Sequence, residues 1–480
     1  MLLAVCAGLV LAGLGAAAAQ GDGPTYANPV IPGNVADPSV VRAGGDYWAA
    51  ATSGSYAPVF PLYHSSDLVH WTAVGAVFQQ PPRWTRGNFW APGLALYDGT
   101  WSVYYSASRA HGRPCVAVAQ ADRPIGPWID HGLVVCPPSG AIDAAPVTDL
   151  TGARYLLWKR MGSGNGIYAA GLSADGRTLT SRPVLLVKPD QPWEEGVTEG
   201  PDLVADPAGG YLLVYSGGHC CRPPCSYAVG VARADQVLGP YTKDPDNPVL
   251  RDGDGWKCAG HGTMVRTPDG GLAFLHHAYR ADDPFDVHRE ALLEPVTFED
   301  DGTPDFGLAG MPVGGGDTDD ALQLSDDFPG RALDDAWQWP WYAPPDAHVA
   351  GGVLRLRSGI VSRAWTPRDY VAEAAVRGAG LLGVLLTDGR LVGVRATDRD
   401  FQLVDGRHIA ATAARDAHPT ARLQLRVDVR AGRVLAAFAR VAGRTWQPVG
   451  TVVVVPPGTA IDRVALGPGT FEGVQLRPYR

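Results

Sequence analysis

The chain has 480 residues, enough for two or three domains with large cores. Its formal net charge is −9 and it has no run of Lys or Arg, which argues against a nucleic-acid partner. The 60 Gly and 41 Pro residues are spread between apolar runs, a distribution that favours an all-β fold with many turns over a disordered chain.

An uncharged apolar segment opens the chain and ends in residues that suit cleavage near Ala19 or Gln20. We therefore predict a signal peptide over residues 1–20 and a secreted protein, either extracellular or periplasmic. A membrane anchor is the alternative, but the segment is barely long enough to span a bilayer and is rich in Ala and Gly. No later segment could cross a membrane, so no membrane partner is expected after the signal is removed.

Six cysteines follow the predicted signal peptide, and an even number in an exported chain suggests up to three disulfides. We expect Cys115 to pair with Cys136. Two more bridges would then form in one neighbourhood among Cys220, Cys221, Cys225 and Cys258. A metal cluster of these four residues is the alternative, which the exported context disfavours.

Five similar units then follow one another, each opening with an apolar or aromatic strand after a short polar turn. They start at Tyr47, Trp101, Tyr155, Tyr211 and Leu272. Four short strands fit in each unit, and radial stacking of such units makes a β-propeller. An ordinary sandwich with accidental similarity is the alternative. We predict a five-bladed β-propeller over residues 24–314.

The residues about 10–12 positions before each start belong to the predicted innermost strand of each blade, which lines the central channel. They include three carboxylates, an aromatic residue and a histidine, namely Asp37, Trp90, Asp143, Glu199 and His261. Because the repeat places them at equivalent positions around one axis, we expect them to share a pocket.

The repeat ends near residue 315, where Gly314-Gly315-Gly316-Asp317 is typical of a linker. Beyond Leu324 the chain alternates apolar and polar residues, as in 353–357 and 423–429, and so predicts further strands. We assign residues 320–480 to a β-sandwich. The predicted fold class is therefore all-β, a five-bladed propeller followed by a sandwich.

Three acids in one pocket suit the cleavage of a glycosidic bond, which needs an acid for the leaving oxygen and a second carboxylate across the sugar. A third can tune and orient the acid. The alternative is that Asp37 and Asp143 merely cap turns. His261, between two glycines, could bind water or a hydrated cation on the axis, or could be structural.

Four further residues are candidates for binding a sugar. Trp90 and Phe89 could supply a stacking face. His277 and Arg280 follow the first strand of the fifth unit and could reach the pocket.

In their order and spacing these motifs resemble the family 43 glycoside hydrolases over residues 26–307. The motifs are Asn28-Pro29-Val30, Ala36-Asp37-Pro38-Ser39, Ser66-Asp67-Leu68-Val69-His70-Trp71, Asn88-Phe89-Trp90-Ala91-Pro92, Ile142-Asp143, Thr198-Glu199-Gly200-Pro201, Gly260-His261-Gly262 and Glu294-Pro295-Val296-Thr297-Phe298. One departure is visible, because Gly93 stands where the family usually has Glu. The C-terminal segment resembles the concanavalin-like sandwich attached to some members.

The resemblance implies an inverting hydrolase acting on arabinose- or xylose-containing carbohydrate. Asp37 is then the general base, Glu199 the general acid, and Asp143 the residue that keeps the acid protonated and oriented. Inversion requires the carboxyls of Asp37 and Glu199 to lie roughly 6.5–9.5 Å apart. His261 matches a position beside a central calcium or sodium ion, often reached through water. No organic cofactor is implied.

Two other functions are considered. One is a carbohydrate-binding propeller without turnover, which is disfavoured because all three acids are present. The other is a retaining relative acting on fructosides, whose Asn-Asp-Pro-Asn motif fits Asp37-Pro38-Ser39 poorly. The sequence leaves open arabinose against xylose, internal against terminal cleavage, and the oligomeric state.

Overall fold

The computed structural model describes residues 26–221, 223–283, 287–299, 302–314, 323–365 and 367–479. The predicted signal peptide and most of the predicted linker lie outside these residues. Within them, regular structure is β-strand apart from one 3-10 turn at Pro192–Glu194. The described part of the chain contains no helix of the length and apolar character needed to cross a membrane. The all-β prediction is confirmed.

Residues 39–306 form five sheets of four antiparallel strands, each strand pairing with the next along the chain. Blade 1 contains β1 (Ser39–Ala43), β2 (Asp46–Ala50), β4 (Val59–Ser65) and β5 (Thr72–Phe78), with the short β3 (Tyr56–Ala57) outside its sheet. Blade 2 contains β6 (Trp90–Tyr97), β7 (Thr100–Ser108), β8 (Pro114–Ala121) and β9 (Ile129–Val135). Blade 3 contains β10 (Ala141–Thr148), β11 (Arg154–Arg160), β12 (Gly166–Gly171) and β13 (Val184–Val187).

The last two blades follow the same plan, so the five-bladed propeller is confirmed. Blade 4 contains β14 (Thr198–Ala205), β15 (Tyr211–Gly217), β16 (Ala228–Ala234) and β17 (Thr242–Lys243). Blade 5 contains β18 (Trp256–Arg266), β19 (Leu272–Arg280), β20 (Glu290–Phe298) and β21 (Pro304–Phe306).

Burial explains why the middle strands are continuous apolar runs. Strand β8 is buried along its whole length, because neighbouring blades cover both of its faces. The outer strand β9 instead alternates exposed and partly buried residues, since one of its faces meets solvent. Apolar contacts between blades thus fix the sheets around the axis.

The segment before β1 closes the ring by pairing with blade 5. Ile31 forms an antiparallel bridge with Ala291, and the Val35 N–H donates to the Arg289 carbonyl. The buried Asn28 amide donates to the carbonyls of Leu293 and Val313. The first and last blades are therefore tied by backbone and side-chain bonds.

The C-terminal strands form two sheets that enclose one apolar core. The larger sheet contains β22 (Leu324–Asp326), β24 (Asp346–Val349), β25 (Leu354–Ser358), β27 (Tyr370–Arg377), β32 (Arg422–Arg430), β33 (Val434–Val441), β34 (Gln447–Pro448), β35 (Val453–Val454) and β37 (Gly469–Pro478). The smaller sheet contains β26 (Val361–Ala364), β28 (Gly380–Leu386), β29 (Leu391–Ala396), β30 (Asp400–Asp405), β31 (His408–Ala414) and β36 (Ile461–Gly467). This arrangement confirms the predicted sandwich.

The sandwich joins the propeller at blade 1. Strand β23 (Trp339–Pro340) pairs with β3, and the Trp341 ring lies 6.2 Å from that of Phe89. Buried polar contacts add to this junction, including the Arg463 guanidinium 4.2 Å over the Tyr56 ring. The two domains therefore share backbone pairing as well as side-chain contacts.

The cysteine prediction is confirmed. Cys115 is bonded to Cys136. The other four form two bridges in one neighbourhood, Cys220–Cys221 and Cys225–Cys258.

Candidate active site

One residue on the inner edge of every blade has a left-handed backbone. These residues are Asp37 (φ 52°), Ala91 (φ 41°), Asp143 (φ 57°), Gly200 (φ 57°) and His261 (φ 40°). In blades 2 to 5 the pairing of the first two strands shifts register at this point. Such a bulge bends the strand and re-aims its side chains, which is how each blade presents residues to the axis.

This geometry corrects one detail of the predicted repeat. Asp37, Asp143 and His261 occupy the left-handed position, as the repeat predicts. In blade 4 that position belongs to Gly200, and Glu199 is the residue before it. Glu199 pairs with Ser216 on the adjacent strand, just as Trp90 pairs with Ser106 in blade 2.

A closed ring of hydrogen bonds holds the five left-handed residues. The backbone N–H of each donates to a side chain of the preceding blade: Ala91 to Thr52 Oγ1 (2.7 Å), Asp143 to Ser106 Oγ (3.2 Å), Gly200 to Asp143 Oδ2 (3.1 Å), His261 to Ser216 Oγ (2.8 Å) and Asp37 to His277 Nδ1 (3.1 Å). Each bulge therefore satisfies its unpaired donor across a blade boundary. The bonds fix the catalytic candidates relative to one another.

Asp37 is held as a carboxylate. Arg289 donates to its Oδ1 at 2.8 Å, and Thr52 donates to its Oδ2 at 2.6 Å. His261 and His277 place Nδ1 atoms 3.5 and 3.3 Å from Oδ1. Burial alone would raise the pKa of Asp37, but the Arg289 charge, with His261 and the Thr52 hydroxyl, holds it well below its ordinary value.

Asp143 has the opposite environment. Burial, with the negative charges of Glu199 and Asp37, raises the pKa of Asp143 to about 6 although His261 and Lys159 oppose the shift. Its Oδ2 accepts the Gly200 N–H, which directly follows Glu199 in the chain. Asp143 therefore fixes the backbone that carries Glu199.

Glu199 lies between a cation and a phenol. Lys159 Nζ donates to Oε2 at 2.9 Å and Tyr227 OH donates to Oε1 at 3.0 Å. Both partners are buried, so these contacts are shielded from water. They orient both oxygens of the carboxyl group.

His261 lies between two parts of the acid cluster. Its Nδ1 is near Asp37, and a Cβ placed on Gly200 would lie 2.7 Å from its Cγ. The imidazole of His261 therefore lies beside Asp37 and beside Gly200, the residue that follows Glu199. The predicted separation of the Asp37 and Glu199 carboxyls stays a prediction.

Two of the predicted sugar-binding residues, Phe89 and Arg280, lie away from the three acids. Phe89 is fully buried between Phe60 and Trp341, where no ligand can stack on it, so it is a core residue. Arg280 donates to Glu290 Oε2 at 2.6 Å and lies over the Trp256 ring, near the boundary with the sandwich.

The other two lie close to the acids. Trp90 is partly exposed at the inner edge of blade 2, opposite Ser106. His277 is fully buried, accepts the Asp37 N–H and stacks on Tyr227 with ring centroids 5.9 Å apart. Burial lowers the pKa of His277 well below its ordinary range, so the ring is neutral with its proton on Nε2. Its observed role is to hold Asp37.

The resemblance implies a cation beside His261, and the surrounding residues decide which ligands it could have. Calcium takes six to eight oxygen ligands. Among the described residues there is no group of three or more His, Cys, Asp or Glu side chains arranged to hold a metal. A cation beside His261 would therefore complete its coordination with water.

The family that the sequence resembles usually has Glu at the position of Gly93. Here close contacts leave no room for a side chain. A Cβ there would lie 2.0 Å from the Ala144 carbonyl oxygen and 2.7 Å from Pro146 Cδ. Blade 3 therefore fills the space that a side chain at position 93 would need.

Sequence reasoning missed several residues that bond to the acids or to His261. Thr52, Ser106, Lys159 and Ser216 lie on the second strand of their blade, or just past it, and recur with nearly the spacing of the repeat. A search for polar residues with the spacing of the repeat could have identified this second set. Arg289 and Tyr227 do not recur with this spacing, so the repeat could not have identified them.

Comparison with known proteins gives the family. The family model described as glycosyl hydrolases family 43 matches residues 26–304. A Vibrio protein named xylan 1,3-beta-xylosidase is 29% identical over 273 residues, 52% of this chain and 49% of that protein. A non-reducing end alpha-L-arabinofuranosidase of Bacteroides ovatus is 28% identical over 321 residues, 63% of this chain and 57% of that protein. The chain thus spans about half the length of these relatives.

The whole fold also has solved counterparts. The structure of a xylan beta-1,4-xylosidase from Bacillus halodurans superimposes with a TM-score of 0.77 and 21% identity, covering 94% of this chain and all of that one. This likeness includes both the propeller and the sandwich. With the family model covering more than half of the sequence, the chain belongs to family 43 of the glycosyl hydrolases.

Proposed function

We propose that the protein is an inverting glycoside hydrolase that cleaves arabinofuranosyl or xylosyl linkages. The observation that carries the proposal is the contrast between Asp37, held ionised by Arg289, and Glu199, held between Lys159 and Tyr227 in the same axial pocket. The names of the Vibrio and Bacteroides relatives support the pentose substrate class.

In the proposed reaction, Asp37 accepts a proton from a water molecule whose oxygen attacks the anomeric carbon. Glu199 gives its proton to the glycosidic oxygen as the carbon–oxygen bond breaks. Asp143 orients the Glu199 backbone through Gly200. Trp90, partly exposed at the inner edge of blade 2, can contact the sugar face.

The test combines substrate identity with stereochemistry. Purified protein is incubated with arabinan, arabinoxylan, xylo-oligosaccharides and nitrophenyl pentosides, and proton NMR follows the first anomer formed. We expect release of arabinose or xylose units with the anomeric configuration inverted. Retained configuration would contradict the mechanism, and absence of turnover on all pentosides would contradict the substrate class.

A hydrated cation beside His261 is part of the same proposal, with a structural role and no catalytic step. We expect dialysis against EDTA to lower Tm by a few degrees and Ca²⁺ to restore it, by about RT ln(1 + [L]/Kd) in free energy. In His261→Ala this Ca²⁺ response should disappear. A wild-type Tm that ignores EDTA and Ca²⁺ would contradict the ion.

Export is also part of the proposal. Three disulfides among the described residues support an oxidising compartment. The predicted signal peptide over residues 1–20 would direct the protein there. Mass spectrometry of the mature protein from the exported fraction should find an N-terminus near Gln20, whereas an uncleaved chain in the cytoplasm would contradict export.

A further inference from the structure

A short segment of blade 5 touches both the sandwich and the catalytic pocket. It comprises residues 287–290 and runs into the start of β20. His288 contacts the sandwich, and its neighbour Arg289 contacts Asp37. Adjacent Cα atoms are about 3.8 Å apart, so one short piece of backbone carries both contacts.

The His288 contact joins the two domains through nearly buried groups. His288 Nε2 lies 2.7 Å from the Asp462 carbonyl oxygen and 3.4 Å from its Oδ1. Tyr56 of the propeller donates to the other carboxyl oxygen of Asp462 at 3.3 Å. The His288 side chain is only 10% exposed, so loss of this bond would leave a buried donor unpaired.

Arg289 is the cation closest to Asp37. Its guanidinium donates to Oδ1 at 2.8 Å, and its carbonyl accepts the Val35 N–H at 2.7 Å. The next residue, Glu290, is held by Arg280 at 2.6 Å. The segment is therefore anchored on the sandwich side by His288 and on the propeller side by its backbone and Glu290.

We propose that the sandwich helps to build the catalytic site, with His288 as a positioning residue that docks on Asp462 and thereby fixes Arg289 against Asp37. This inference rests on the proposed role of Asp37 as the base. Misplacement of a catalytic group by about 1 Å can cost 10²-fold in rate. Loss of the His288 contact should therefore act mainly on kcat.

The experiment compares three variants of the full chain. His288→Leu removes the donor, His288→Gln keeps an N–H that can reach the Asp462 carbonyl, and Gln79→Leu removes a different interdomain bond, that to Asp335 at 2.9 Å. We expect kcat to fall at least tenfold in His288→Leu with KM within about threefold. The other two variants should keep at least half of the wild-type kcat.

A double-mutant cycle tests whether His288 acts through Arg289. The effects of His288→Leu and Arg289→Lys should be clearly non-additive, both in kcat/KM and in the urea midpoint of unfolding. Additive effects, or a folded His288→Leu variant with wild-type kcat, would overturn the inference. If the wild type itself turned over no pentoside, the proposed function would fail, and the unfolding cycle would still decide the coupling.

Discussion

The three acids of the pocket differ in their partners. Asp37 faces the Arg289 guanidinium, and Glu199 faces Lys159 and Tyr227. Asp143 has no cation within bonding distance among the described residues and accepts a backbone N–H instead. Groups of the same chemical type thereby have different surroundings, which is what the proposed acid–base roles require.

Removing either proposed acid–base partner should abolish most activity. We expect Glu199→Gln and Asp37→Asn each to lower kcat by about 10²–10⁴-fold, because each removes a proton transfer from the transition state. Asp98→Asn is the matched control, since Asp98 is 90% exposed and, among the described residues, pairs only with Arg154. Near-wild-type kcat in both site variants, with circular dichroism unchanged, would refute the roles.

The raised pKa of Asp143 predicts how the stability of the protein depends on pH. The pKa of Asp143 is about 6 in the folded protein, against an ordinary 3.8. Ionisation of this group therefore costs more free energy in the folded state than in the unfolded state, which lowers the stability as pH rises. This penalty is absent below about pH 4 and complete above about pH 6. We expect Asp143→Asn to be more stable than the wild type at pH 7, on the order of 3 kcal/mol, and nearly equal to it at pH 4.

Urea unfolding of the two proteins at both pH values measures the difference. Asn keeps an oxygen for the Gly200 N–H, so the comparison isolates the charge. A stability difference that did not depend on pH would contradict the raised pKa of Asp143.

At the scale of elements, the inner strand of each blade is organised by its bulge. Asp37 and Asp143 carry side chains on a left-handed backbone, a conformation that costs energy for residues other than Gly. The cross-blade N–H bonds hold that conformation in place. Each inner strand therefore depends on its neighbour for the geometry of the residue that it presents to the axis.

Gly200 lies in the bulge of blade 4, where a side chain would meet both a strained backbone and the His261 ring. Its φ is +57°, and a Cβ would lie 2.7 Å from the His261 ring. We expect Gly200→Ala to lower the free energy of unfolding by more than about 2 kcal/mol and to reduce kcat, since both Glu199 and His261 must shift.

Gly44→Ala provides the control for backbone strain alone. Gly44 has φ +66° and an added Cβ there would have no neighbour within 4 Å, so its cost should stay near about 1 kcal/mol with unchanged kcat. Equal effects of the two substitutions on Tm and kcat would show that the contact with His261 is unimportant.

At the scale of the whole molecule, a propeller needs its first and last blades joined. Asn28 is fully buried there and bonds to both the N–H and the carbonyl of Leu293. Its amide also reaches Val313, at the end of the propeller. One side chain thus ties three parts of the chain together.

Asn28→Ala should therefore destabilise the protein strongly. It removes the bonds that Asn28 makes to the Leu293 N–H and the Val313 carbonyl in the interior, which costs about 2–4 kcal/mol. Asn34→Ala is the control, since the Asn34 side chain accepts a single exposed bond of 3.4 Å from the Arg289 N–H. Calorimetry should find a large fall in Tm for the first variant only, and similar Tm values for both would contradict the closing role.

Much of the architecture could be predicted because it repeats. The spacing of the apolar strands indicates five blades, and the loss of that spacing marks the sandwich. The same period brings Asp37, Asp143 and His261 to one level, since equivalent positions in a propeller face one axis. The even number of cysteines likewise predicts the bridges that are present.

Only the tertiary structure decided the environments of these residues. Arg289 is 252 positions from Asp37 and reaches it because the ring closes between blades 5 and 1. Phe89 is in the core because Trp341 of the C-terminal region covers it, although its neighbour Trp90 is partly exposed. A period in the sequence fixes which residues face the axis, whereas contacts between distant segments depend on how the blades and the sandwich meet.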